Sequence, residues 1–253
     1  WVTWPTMHRG VSNVDHTISD LGQDLRPINA EFPPIWEILA AAGLRVGMFG
    51  SLQSYPIPDC LDSYEFYVPD TFAVGNECHP ALLNNFQAFN LSMVKSNGRN
   101  VSSGIAWKEA TNFMLNSIKL GLTPSTAKNL VIQVVNERLN KDRIVRRRSS
   151  QIEIAFDLFF SQLSKKKPDI SFFFTNHLAS SMHRYWPTIF PQDYDLGKFD
   201  TEWLARWKGE IPHAVKVANN QLDRLMNFCD SVGFKLIVGS SMGQHAVHKT
   251  TPV

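Results

Sequence analysis

Apolar residues in this chain recur with two periods. Over 31–43, Ile35, Ile38, Leu39 and Ala42 return every three or four residues, which places them on one helical face, with prolines at the first turn and Gly43 as the stop. The next seven residues, Leu44-Arg-Val-Gly-Met-Phe-Gly50, form a short apolar run that reads as a buried strand. Helix, glycine and apolar strand are half of a βαβ unit, so a parallel sheet is expected. The same grammar recurs further along. Ala214, Val217, Ala218, Leu222, Leu225, Met226 and Cys229 follow helical spacing, Gly233 ends the helix, and 235–240 (Lys-Leu-Ile-Val-Gly-Ser) is the predicted strand. A third strand is predicted at 169–175, and 105–167 reads as a largely helical insertion broken by Gly121-Leu-Thr-Pro124.

A chain of 253 residues, 43% of them hydrophobic, can bury a full core, and this length suits one large α/β domain. The expected organisation is therefore a single domain over 1–253. It opens at Trp1 inside a loop and stops at Val253, so both ends look cut. With 25 basic against 23 acidic residues there is no global field of the kind that draws nucleic acid or a membrane surface. The basic run at 141–148 reads first as a solvated helix face, with phosphate or nucleic-acid binding by Arg146 to Arg148 as the competing use. Cys60, Cys78 and Cys229 are odd in number and widely spaced, which speaks against a disulfide framework and against a structural zinc site. No stretch approaches the roughly 18 apolar residues that span a bilayer. A cytoplasmic location is expected, although Asn90-Leu91-Ser92 and Asn100-Val101-Ser102 keep a secreted route open.

In open parallel sheets ligands sit beyond the carboxyl ends of the strands, so the residues after each predicted strand are the first candidates. Three polar stretches answer that description. One runs from Thr175 to Trp186 and holds Asn176, His177, Ser180, Ser181, His183 and Arg184; a second is Ser240-Ser-Met-Gly-Gln-His245; the third is the opening segment with Thr3, Thr6, Arg9-Gly10 and His16. Ser51-Leu-Gln-Ser-Tyr-Pro56 lies where a pocket would be lined, and Pro69-Asp-Thr-Phe72 is placed to close over it. Tyr55, Trp186 and Arg184 supply flat faces and a cation suited to an aromatic or phosphate-bearing ligand, against the plain alternative of packing under a loop.

Taken in order, Arg9-Gly10, His16-Thr17-Ile18, the turn after Thr175 and Ser240-Ser241-Met242-Gly243 resemble the alkaline phosphatase superfamily, most closely its type I phosphodiesterase and nucleotide pyrophosphatase branch. The resemblance spans nearly the whole chain. It implies a three-layer αβα domain with a mostly parallel central sheet and a helical insertion at 105–167, and hydrolysis of phosphate or sulfate esters. It also implies a Thr or Ser nucleophile falling just before Trp1, with Thr3 and Thr6 off that position. The family holds divalent metal, zinc, with an Asp and a His four residues apart. Here His183 matches the histidine while Ala179 stands at the aspartate. Where relatives carry Ser-Asp-His-Gly, this chain has Ser241 and Met242 at the two ligand positions. A hydroxyl and a thioether are poor ligands for such an ion, so the expected metal is weak or absent.

Two readings follow from the resemblance. One is a phosphodiesterase-like hydrolase in which His183, His177 or Arg184 compensates for lost ligands, with Asn176, Ser241, Gln244 and Tyr55 binding substrate. The other is a pseudoenzyme that keeps the fold and binds a phosphorylated or glycan-like ligand without turnover. The expected partner is a small-molecule, glycan or lipid-headgroup ester rather than nucleic acid.

Overall fold

The computed structural model describes residues 2–20, 22–98, 117–195, 197 and 199–246. Its contacts gather into two compact units: Trp1–Ala127 with Asp157–Phe174, and Lys128–Phe156 with Thr175–Val253.

The first unit opens with short helices α1 (Thr3–Arg9), α2 (Asn13–His16), α3 (Arg26–Glu31) and α4 (Ile35–Ala41). The prolines expected at the first turn of one helix instead separate two: α3 is capped by Phe32 and Pro34 is the N-cap of α4. Proline disfavours helical geometry in the residue before it and lacks an N–H, so the chain breaks there and restarts. Gly43, at φ +81, follows the end of α4 in the left-handed conformation that costs glycine least. Strand β1 (Val46–Phe49) comes next, as predicted, and then β2 (Phe66–Val68), which is absent from the strands predicted above. Helix α5 is Asn84–Gly98, α6 is Pro124–Leu139 and α7 is Arg147–Lys166; β3 (Ile170–Phe173) completes the sheet. The predicted helical stretch at 105–167 holds α6 and α7, while 105–116 lies outside the described residues.

The fold class is α/β, with a parallel sheet in the order β2-β1-β3. Register pairs Met48 with Tyr67 on one side and with Phe172 on the other. Side chains alternate across a strand, so Val46, Met48, Tyr67 and Phe172 share one face. That face packs on Trp36 and Leu39 of α4. Phe49, Phe66 and Phe173 share the other face and surround Phe159 of α7, whose ring lies 4.7 Å from that of Phe173 and 5.9 Å from that of Phe49. The fully buried ones among them, such as Trp36, Met48 and Phe66, contribute about 1.5–3 kcal/mol each.

The second unit uses most of α6 and the first part of α7 with α8 (His177–Tyr185), α9 (Thr201–Trp207) and α10 (Glu210–Val232). Helix α10 buries Ala214, Val217 and Cys229 as its spacing predicts, whereas Met226 is exposed. Gly233, at φ +76, ends it. The strand predicted at 235–240 is not formed: no strand pairing includes these residues, and Ile237 and Val238 are 90% and 70% exposed. An apolar run becomes a strand only when another strand supplies its hydrogen bonds, and none of the described strands does so here.

Candidate functional site

At the carboxyl ends of β1 and β2 the two outgoing loops are knitted together. Ser54 N–H donates to Asp70 Oδ2 at 3.1 Å, Asp70 N–H donates to Ser54 Oγ at 3.0 Å, and the Tyr67 hydroxyl donates to Ser54 O at 2.6 Å. Phe72 N–H donates to the other Asp70 oxygen at 2.7 Å. Burial raises the Asp70 pKa to about 6, opposed by these backbone donors. Beside the loops is a cavity of about 270 Å³ lined in part by Gln53, Tyr55, Asp70, Phe72, Asp24 and Arg26. Of the two segments expected from the sequence to line or close over a pocket, Gln53, Tyr55, Pro56, Asp70 and Phe72 border this cavity. Gln53, quoted there only as one residue of the loop, has the most unusual environment. It is 4% exposed, sits at φ +60, and neither its amide oxygen nor its amide nitrogen has a hydrogen-bond partner.

In the opening segment Thr6 and His16 bond each other and the backbone. Ile18 N–H donates to His16 Nδ1 at 3.0 Å, so in the neutral ring Nε2 carries the proton and donates to Thr6 Oγ1 at 2.9 Å. The Thr6 hydroxyl in turn donates to Val2 O. Thr6 and His16 are therefore spent on each other and on backbone. Arg9 and His8 are buried, and burial draws the His8 pKa down to about 4.

The turn after β3 behaves differently from the expectation for His177. Its Nε2–H donates to Ala214 O at 3.1 Å, which leaves Nδ1 to accept from the Thr175 hydroxyl at 2.6 Å. Burial lowers its pKa to about 4. Both ring nitrogens are occupied and the ring is neutral, so His177 has no lone pair to offer a metal or a substrate. His183 and Arg184 lie on the same helix and are exposed, as is Asn176 just before it. The six-residue spacing turns the two histidines to different sides. In the last segment Gln244 Nε2 donates to His245 O and Ser240 Oγ to Met242 O, while Ser241 is half-buried. These are short-range bonds within a segment that has no strand to order it.

The basic run is largely neutralised inside its own unit. Glu210, 5% exposed, accepts from Arg146 Nη2 at 2.8 Å and from Arg143 Nη1 at 3.3 Å. Glu137 accepts from Arg147 Nη2 at 2.7 Å, and Arg206 pairs with Asp142. Arg148 and Arg184 differ: among the described residues neither has an ion pair. Burial, and then the nearby Arg184 charge, hold Arg148 below the usual arginine range; Tyr185 acts in the opposite direction. Tyr185 is buried and stacks on Trp207 at 5.4 Å. Nothing in the local sequence marks which arginine of the run lacks an acid, because the acids come from distant helices.

The ligand set does not fit a zinc site. Ala179, Ser241 and Met242 offer no suitable donor, and among the described residues no three His, Cys, Asp or Glu side chains converge where an ion would be held. In comparisons with family models, curated proteins and solved structures, nothing matches this chain.

Proposed function

We propose that this chain binds an ester of phosphoric or sulfuric acid on an alkaline-phosphatase-like scaffold, through guanidinium groups rather than through the two-metal centre of that superfamily. The observation that carries this is the pair Arg148 and Arg184, close enough to repel, beside Tyr185 and, among the described residues, with no carboxylate on either. Guanidinium groups match the oxygens of a tetrahedral oxyanion, and two such groups beside an aromatic ring favour an anion carrying a flat or apolar substituent. A parallel sheet with helices on both faces, and a polar turn directly after β3, fit that superfamily. The replaced ligand positions favour binding over metal-assisted hydrolysis.

Calorimetric titration with inorganic phosphate and p-nitrophenyl phosphate tests the reading. Binding is expected in the wild type and in Arg147→Ala, whose parent arginine already pairs with Glu137. Arg148→Ala and Arg184→Ala are each expected to weaken it roughly tenfold. Equal affinity in all four proteins overturns the proposal. Incubation with an aryl phosphodiester, with and without chelator, addresses chemistry: chelator-sensitive turnover lost in His183→Ala restores the hydrolase reading.

A further inference from the structure

We infer that the outward face of α6 between Lys128 and Leu139 docks on the surface of an anionic lipid bilayer. No described helix is long and apolar enough to cross a membrane, so α6 lies along the surface. The docking face lies wholly within the second unit and does not rest on the anion reading above.

The helix packs inside out. Over 128–139 the residues turned inward are Leu130, Gln133 and Glu137, three and four apart on one side, and all the others are exposed. Two of the three inward residues are polar. Gln133 Nε2 donates to Glu137 Oε1 at 2.9 Å and to Arg143 O at 2.6 Å, and Glu137 accepts from Arg147 Nη2 at 2.7 Å, which holds the helix in this orientation. On the opposite side the same spacing brings Val131, Ile132, Val135 and Leu139 onto one face, with Val131 60% and Leu139 81% exposed. A surface helix ordinarily turns its apolar stripe to the core and its polar side to water. The reverse arrangement leaves a continuous aliphatic face in solvent, and such faces mark surfaces that are covered in use.

Charge identifies the occupant. From 128 to 148 the chain carries seven basic and two acidic residues, although the chain as a whole is nearly neutral. Both acids are spent, Glu137 on Arg147 and Asp142 on Arg206. Lys128 stands on the aliphatic face by its spacing, Arg138 lies at its edge, and Lys141 follows the end of the helix; all three are exposed. Among the described residues neither lysine has an acid partner. Aliphatic groups set among basic side chains suit an anionic bilayer: the apolar groups enter the headgroup boundary while the cations stay at the phosphates. A second copy fits less well, because a two-fold contact brings the same cations together and the acid of α6 faces inward. A protein groove also fits less well. Interfaces favour aromatic anchors and are depleted in lysine, whereas this face has no aromatic residue and carries Lys128. Four aliphatic residues without Trp or Phe make the attachment shallow, reversible and dependent on charge.

Co-sedimentation of the whole chain with vesicles tests the proposal. Binding is expected on phosphatidylcholine vesicles containing about 30% phosphatidylserine, and is expected to be at least roughly tenfold weaker on phosphatidylcholine alone. Raising salt from about 0.1 M to about 1 M shortens the screening length about threefold and is expected to release most of the protein. Val135→Gln combined with Leu139→Gln removes apolar surface at exposed positions without changing charge; that variant is expected to fold and to bind roughly tenfold more weakly. Lys128→Glu combined with Lys141→Glu is expected to weaken binding by at least roughly tenfold. Wild-type affinity in either variant, or equal binding to the two kinds of vesicle, would overturn the proposal. Absence of binding to the anionic vesicles would overturn it as well, and would leave the face to a protein partner. Sedimentation velocity without lipid is expected to show a monomer. A dimer that the paired Gln substitutions dissociate would assign the face to a second copy and overturn the lipid reading.

Discussion

His177 Nε2–H donates to the Ala214 carbonyl at 3.1 Å, joining α8 to α10 through a ring that stays neutral in the fold. Its pKa is about 4 in the fold against 6.5 when free. Between those values the unfolded chain holds more protons than the folded one, so the contribution is complete above about pH 6.5. It is lost at about 1.4 kcal/mol per pH unit as pH falls to about 4. His177→Gln, which removes the titration, is expected to be less stable than wild type at neutral pH and to close the gap on acidification. A gap in unfolding free energy that is constant from pH 7 to 4.5 would refute this account.

Asp70 titrates in the opposite sense. Burial raises its pKa from 3.8 to about 6, so folding favours the protonated carboxyl and stability falls as pH rises through that interval. Asp70→Asn removes the charge, and its stability relative to wild type is expected to improve from pH 4 to 6. Asp70→Ala leaves Ser54 N–H and Phe72 N–H without their acceptor, at a cost of about 1–3 kcal/mol each. Urea unfolding of the three proteins at several pH values measures both effects. Parallel profiles for the wild type and the Asp70→Asn variant would remove the charge from the explanation.

Glu210 organises the basic run, since its buried carboxylate accepts three hydrogen bonds from Arg146 and one from Arg143. Removing a buried partner leaves charge uncompensated; the partial exposure of the arginines reduces the effect, so Glu210→Ala is expected to cost roughly 2–4 kcal/mol. A double-mutant cycle with Arg146→Ala is expected to return a coupling of about 1 kcal/mol or more. Additive effects would show that the ion pair contributes nothing beyond packing.

Local pattern located much of the architecture. Ile35 to Gly50 reads as a helix, a glycine stop and a strand in the right order, and the long helix ending at Gly233 is equally legible. Strand β2 is not, although Phe66-Tyr67-Val68 before Pro69 has strand composition. The run at 235–240 has the same composition and forms no pairing, so composition alone does not separate the two cases. The expected strand-end turns draw attention to the loops after β1 and β3, Ser51 to Pro56 among them, without indicating which residue in them is unsatisfied.

For the site, the sequence by itself determined that Ala179, Ser241 and Met242 cannot become strong zinc ligands in any fold. Tertiary structure decided which polar groups remain unspent. His177 is used up because Thr175 and the Ala214 carbonyl reach its two nitrogens, whereas Gln53 is left unpartnered in its loop after β1. Hydrogen bonds and ion pairs act over a few ångströms between residues far apart in the chain, so their partners are fixed only when packing brings those residues together.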